Sequence, residues 1–100
     1  MIYCFDLDGT LCTNTDGEYD LAKPYMSRID TVNELFNNGN EIIIDTARGA
    51  TTGIDWLDIT KKQLSDWGVK HHTLRVGGKL NADIFVDDKA ISDKLFFNDK

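Results

Sequence analysis

The chain has 100 residues, of which 41% are hydrophobic and 28% charged. That is room for one globular domain spanning 1–100 and is the wrong balance for a disordered or fibrous chain. Seventeen Asp plus Glu against eleven Lys plus Arg leave a net charge of −6, which excludes a surface built to bind nucleic-acid phosphates. The two cysteines, Cys4 and Cys12, are too few for a disulfide framework. Cys4 is expected as a small buried hydrophobe and Cys12 as a free surface thiol in a loop. The opening Met-Ile-Tyr-Cys-Phe-Asp has no basic start before a long apolar stretch, and no run nears the roughly 20 apolar residues that span a bilayer. A cytoplasmic protein is expected, with no membrane partner.

In chain order, Ile2 to Phe5 is a short apolar run ending at Asp6, the pattern of a strand buried on both faces. Leu11 to Leu21 surrounds Asp16-Gly17, a dipeptide suited to a tight turn, and predicts a small β-hairpin flap over about 11–22. Pro24 introduces a helix over Tyr25–Asn38, with Met26, Ile29, Val32, Asn33 and Phe36 at helical spacing and Gly39 as its stop. Glu41 to Asp45 predicts a second buried strand. A Gly- and Thr-rich turn, Arg48 to Gly53, leads to a helix from Asp55 or Asp58 to Trp67 that contributes Leu57, Leu64 and Trp67 to the core. His72 to Val76 and Asp83 to Val86 predict two further strands, and Lys89 to Lys100 a short closing helix. Strand–helix–strand alternation implies an α/β fold with a parallel sheet of the doubly wound kind. Ligands of such sheets bind outside the carboxyl ends of the strands, where Asp6, Asp8, Asp45, Thr46, Asp87 and Asp88 are expected.

Asp6-Leu7-Asp8-Gly9-Thr10 places two carboxylates two residues apart at a strand end, one suited to attack and one to carry a proton. With Asp87 and Asp88 added, four carboxylates at one sheet edge repel unless a cation sits among them. A hard, oxygen-liganded ion such as Mg²⁺ answers that need and accepts phosphate oxygens as further ligands. Thr46, by its hydroxyl, and Lys79, by its charge, complete a cradle for a phosphoryl group. Arg48, two positions beyond Thr46, has a planar donor fork and is the expected substrate-binding residue. Tyr19 and Thr13 are expected at the entrance. Trp56 and Trp67 are expected as core or interface anchors, and His71-His72 without a catalytic role.

These motifs, in this order, resemble those of the haloacid dehalogenase (HAD) superfamily. Phe5 to Leu11 is similar to its first motif, Ile43-Ile44-Asp45-Thr46 to the second, Lys79 to the third, and Ile84 to Asp88 to the fourth. The resemblance implies a minimal Rossmann-like core, a roughly four-stranded parallel sheet of order 3-2-1-4 flanked by helices. It implies a Mg²⁺-dependent phosphatase in which Asp6 attacks phosphorus to form an aspartyl-phosphate and Asp8 serves as acid and then base. Thr46 and Lys79 would hold the phosphoryl oxygens, with the metal on Asp6, Asp8, Asp87 and Asp88. The spacing between motifs leaves no room for a cap domain. Arg48-Gly49, Thr52 to Trp56, Thr60 to Leu64 and Trp67 to Lys70 are similar to capless phosphatases of bacterial capsule or lipopolysaccharide biosynthesis. Here Gly78-Lys79-Leu80 departs from that group's Gly-Lys-Pro. The implied substrate is a small phosphorylated molecule, a sugar phosphate, with a homo-oligomer closing the site. The alternatives are phosphatases of nucleotides, phosphoproteins or polynucleotide ends, a non-catalytic binding module of the same fold, and a receiver domain. A receiver lacks the Asp-x-Asp-Gly-Thr turn.

Overall fold

The computed structural model describes residues 1–99. It contains β1 (Ile2–Phe5), a single 3₁₀ turn at Tyr19–Leu21, α1 (Met26–Asn37), β2 (Glu41–Thr46), α2 (Leu57–Asp66), β3 (Thr73–Val76) and α3 (Asp93–Phe97). The strands form a parallel sheet in the order β1-β2-β3, with Phe5 opposite Ile44 and Ile44 opposite Leu74. Alternation along the strands sets Tyr3, Phe5, Ile42, Ile44, Thr46 and Leu74 on one face. Ile29 and Val32 of α1 and Leu64 of α2 join Phe5, Ile42 and Ile44 there in one buried cluster. The opposite face carries exposed Cys4, Thr73 and Arg75.

The expected four-stranded, Rossmann-like sheet of order 3-2-1-4 is thereby overturned. The fold is α/β, but among the described residues the sheet has three strands in sequential order. Residues 80–92, including the apolar stretch Ile84-Phe85-Val86, lie exposed and outside any strand. A parallel strand of continuous apolar sequence needs cover on both faces, and here α1 and α2 pack on the same one. The apolar side of β1 is covered by α3 instead. The Phe96 ring lies 5.9 Å from Tyr3 and 5.6 Å from Phe5, and Phe97 lies 6.0 Å from Phe5.

The cysteines exchange their expected environments. Cys4 alternates with Tyr3 and Phe5, faces away from the helices and is exposed, whereas Cys12 is wholly buried, its Sγ 3.7 Å from the Leu7 carbonyl oxygen and 3.5 Å from Asp8 Oδ1. The hairpin flap is also corrected. Asp16 and Gly17 do take positive φ values of 54° and 99°, as a tight turn requires, but no strands flank them. Residues 13–23 form a closed loop, pinned at its base by Thr13 N–H donating to the Lys23 carbonyl (2.9 Å) and Tyr25 N–H donating to that of Leu11 (2.8 Å). Helix α1 stops at Gly39, whose φ of 90° suits glycine and whose N–H donates to the Phe36 carbonyl at 3.1 Å.

His72 has a structural part, since its backbone N–H donates to the Ile42 carbonyl (2.9 Å) while its Nδ1 accepts from the Ile42 N–H (3.0 Å). Its ring stacks 4.5 Å from Phe36. The predicted closing helix is shortened to α3, and Lys100 lies outside the described residues.

Arg28 fastens α3 to α1. Its Nη1 donates to Asp93 (2.7 Å) and to the Thr10 carbonyl (3.0 Å), its Nε and Nη2 donate to Asp99 (2.7 and 2.9 Å), and its guanidinium lies 4.9 Å from the Phe97 ring. Hydrogen bonding to Arg28 lowers the pKa of both Asp93 and Asp99. Depressed carboxylates bind fewer protons docked than released, so docking is complete above their ordinary value of about 3.9 and lost as pH falls through the lowered ones. The protection of the α3 amides, taken relative to their intrinsic exchange rates, is therefore expected to fall on acidification below about pH 4, before that of β2. In Arg28→Met the protection factors of the α3 amides should be low at neutral pH and nearly indifferent to acid.

Candidate functional site

The turn after β1 alternates apolar and polar side chains. Leu7 and Leu11 are fully buried, while Asp6, Asp8 and Thr10 are only partly so. Three N–H groups, of Thr10, Leu11 and Cys12, converge on the Leu7 carbonyl at 3.0, 2.8 and 3.3 Å. Anchored by its leucines, this turn presents Asp6 and Asp8 beyond the carboxyl end of the strand. They line a cavity of about 630 Å³ together with Thr46, Arg48 and Lys79. The loop 13–23 contributes Asn14, Asp16 and Tyr19, and the turn after β2 contributes Thr51, Thr52 and Trp56.

Asp6 accepts the Thr10 hydroxyl at 3.1 Å on Oδ2, and Lys79 Nζ lies 3.4 Å from its Oδ1. The Lys79 ammonium also lies 5.2 Å from the Phe85 ring centroid. Thr46 accepts the Arg48 N–H on its hydroxyl oxygen at 3.2 Å, which leaves the hydroxyl hydrogen to donate elsewhere.

Arg48, expected to bind substrate, is 1% exposed and gives its guanidinium to the protein. Nε and Nη2 grip the two oxygens of Asp8 at 2.9 and 2.8 Å, and Nη1 donates to Thr60 Oγ1 at 3.1 Å and Gln63 Oε1 at 2.6 Å. Nη2 also lies 3.9 Å from Cys12 Sγ. All five guanidinium hydrogens thus have partners. Thr60 and Gln63 were not singled out from sequence. Their signal was there, because Thr60, Gln63, Leu64 and Trp67 share one helical face. Two polar residues in an apolar stripe call for a buried polar partner. Cys12 sits in this cluster with its thiol pushed up to about 12, first by burial and then by the Asp8 charge, and a thiol held protonated is no nucleophile.

The four aspartates do not gather. Asp87 lines a second cavity with Asp6, while Asp8 lines only the first and Asp88 neither. The Lys89 N–H, at 2.8 Å, holds Asp87 ionised below the usual carboxylate range, with Asp88 assisting. Among the described residues no three His, Cys, Asp or Glu side chains stand together to hold a metal ion. With both Asp8 oxygens on Arg48, the carboxylates as arranged do not fit Mg²⁺.

No protein-family model matches the chain, and no curated protein does. Among solved structures, a crystal structure of a structural-genomics target from Vibrio cholerae matches with a TM-score of 0.84 and 27% identity, covering 99% of this chain and 89% of that one. Its description names no activity. The resemblance to the HAD superfamily, and within it to capsule and lipopolysaccharide phosphatases, is therefore not carried by these comparisons. A three-stranded sheet without a metal-binding cluster among the described residues overturns the expected magnesium-dependent aspartyl-phosphate mechanism. Among the described residues no helix is long and apolar enough to cross a membrane.

Proposed function

We propose that the chain is a phosphatase, hydrolysing the phosphate ester of a small molecule held in the cavity at the carboxyl ends of the strands. The observation that supports this most is that Asp6, Thr46 and Lys79, from three separate stretches of sequence, line one cavity, with Lys79 Nζ 3.4 Å from Asp6. Lys79 supplies the positive charge for phosphate oxygens and Thr46 a hydroxyl hydrogen, so binding rests on charge-assisted hydrogen bonds in a partly enclosed site. Phosphoryl transfer asks the protein mainly for positioning and electrostatic stabilisation. Asp6 is the more accessible carboxylate of the cavity, its side chain 39% exposed against 16% for Asp8, whose two oxygens Arg48 grips. The walls offer Asn14, Thr51, Thr52 and Asn81 to the rest of the molecule, the mixture of polar groups that orients a small ligand.

The test is phosphate release from p-nitrophenyl phosphate and a panel of small phosphate esters, with and without added Mg²⁺. Wild type turns over at least one of them. Lys79→Met lowers kcat/KM roughly 10- to 100-fold, the worth of one hydrogen bond to a charged group. Folded wild-type protein that releases no phosphate in either condition overturns the proposal.

A further inference from the structure

The cluster around Arg48 reaches beyond Asp8 into the wall of the cavity. The Arg48 guanidinium lies 4.6 Å from the Tyr19 ring centroid. Gln63, which accepts from Arg48 through Oε1, donates through Nε2 to the Tyr19 carbonyl. The Tyr19 ring meets Trp56 edge-on at 4.9 Å. Between Thr13 and Lys23 the loop has backbone bonds only to itself apart from its pinned base. The middle of the loop, which brings Asn14 and Asp16 to the cavity, is thus held through Tyr19.

We infer that Arg48 is a positioning residue that builds the specificity wall of the cavity, joining the loop 13–23 to α2 while it clamps Asp8. The loop side chains then meet the part of the substrate beyond its phosphate, and Lys79 and Thr46 meet the phosphate itself. This assignment rests on the phosphatase reading for its kinetic half and on geometry alone for its structural half. A buried guanidinium with five partners is rigid in a way that lysine is not, because an ammonium cannot reproduce the planar fork. An arginine stacked on an aromatic ring away from water holds it more firmly than an exposed one does.

Two variants each remove one part of the tie and leave the Asp8 clamp in place, Gln63→Leu the hydrogen bond to the Tyr19 carbonyl and Tyr19→Leu the ring against the guanidinium. Hydrogen exchange of the loop amides is expected to accelerate roughly tenfold or more in each, with the β2 amides unchanged. Arg48→Lys, which keeps the charge beside Asp8, should not restore slow exchange. In kinetics, Gln63→Leu raises KM for the best ester of the panel and leaves kcat and inhibition by inorganic phosphate near wild type. A global loss of stability would instead speed exchange in the loop and in β2 together, and that result overturns the positioning role. So does unchanged loop exchange in both variants. If wild type hydrolyses nothing, the phosphatase reading and the KM half fall together, and the exchange measurement still decides whether Arg48 ties the loop.

Discussion

Arg48→Met is expected to lower the free energy of unfolding by about 3 kcal/mol, at the lower end of the cost of stranding one member of a buried ion pair. The substitution leaves Asp8 with two unpaired oxygens and strips an N–H partner from both Thr60 and Gln63. The lower end applies because the Asp8 side chain is 16% exposed while that of Arg48 is 0%, so water can reach part of the stranded carboxylate. Domains of this size are stable by about 5–15 kcal/mol in total, so the urea midpoint should fall far enough to be read without ambiguity. The double variant Arg48→Met/Asp8→Leu should recover much of the loss, because an apolar pair of similar volume carries no stranded charge. A single variant within about 0.5 kcal/mol of wild type would place Arg48 among ordinary surface positions and refute the buried clamp.

Gly49→Ala is expected to cost about 2–5 kcal/mol, the sum of a left-handed backbone penalty and a local overpacking penalty. Gly49 has φ of +81°, and a Cβ there would lie 2.1 Å from the Ile54 carbonyl oxygen and 3.2 Å from Trp56 Cδ1. The first neighbour is backbone and cannot rotate away. The turn is closed by the Gly53 N–H donating to the Gly49 carbonyl at 2.8 Å, so relief of the clash must open it and shift Thr51, Thr52 and Trp56 in the cavity wall. Gly17→Ala is the control, since Gly17 has φ of +99° with nothing within 4 Å of a new Cβ. It carries the backbone penalty alone, about 1–2 kcal/mol. Equal urea midpoints for the two variants would show that the turn after β2 relaxes freely.

Much of the local structure was legible because its signals are local. The apolar periods of Ile2 to Phe5, Ile29 to Phe36 and Ile42 to Ile44 lie within the elements they form, and Gly39 and Gly68 stand where α1 and α2 end. Asp6 and Asp8, two residues apart, were read at the end of the first strand, and they follow β1 there. The failures share a cause. Ile84-Phe85-Val86 has the composition of a strand, yet a strand exists only where an edge and cover on both faces await it, and neither is written in those residues. Cys4 and Cys12 changed places for the same reason. The face a strand buries depends on where the helices pack.

For Arg48 the sequence supplied position and charge and was silent on partners. Its neighbours in space are forty, twelve and fifteen residues away, at Asp8, Thr60 and Gln63. By itself the sequence determined that this is an acidic α/β chain with polar groups at its strand ends, because hydrophobic period and charge are properties of neighbours along the chain. Only the tertiary structure decided that the sheet stops at three strands among the described residues, that the aspartates stand apart, and that the arginine facing the cavity already has its donors taken. Those outcomes depend on which distant groups meet. A hydrogen bond satisfied inside the protein is no longer on offer to a ligand.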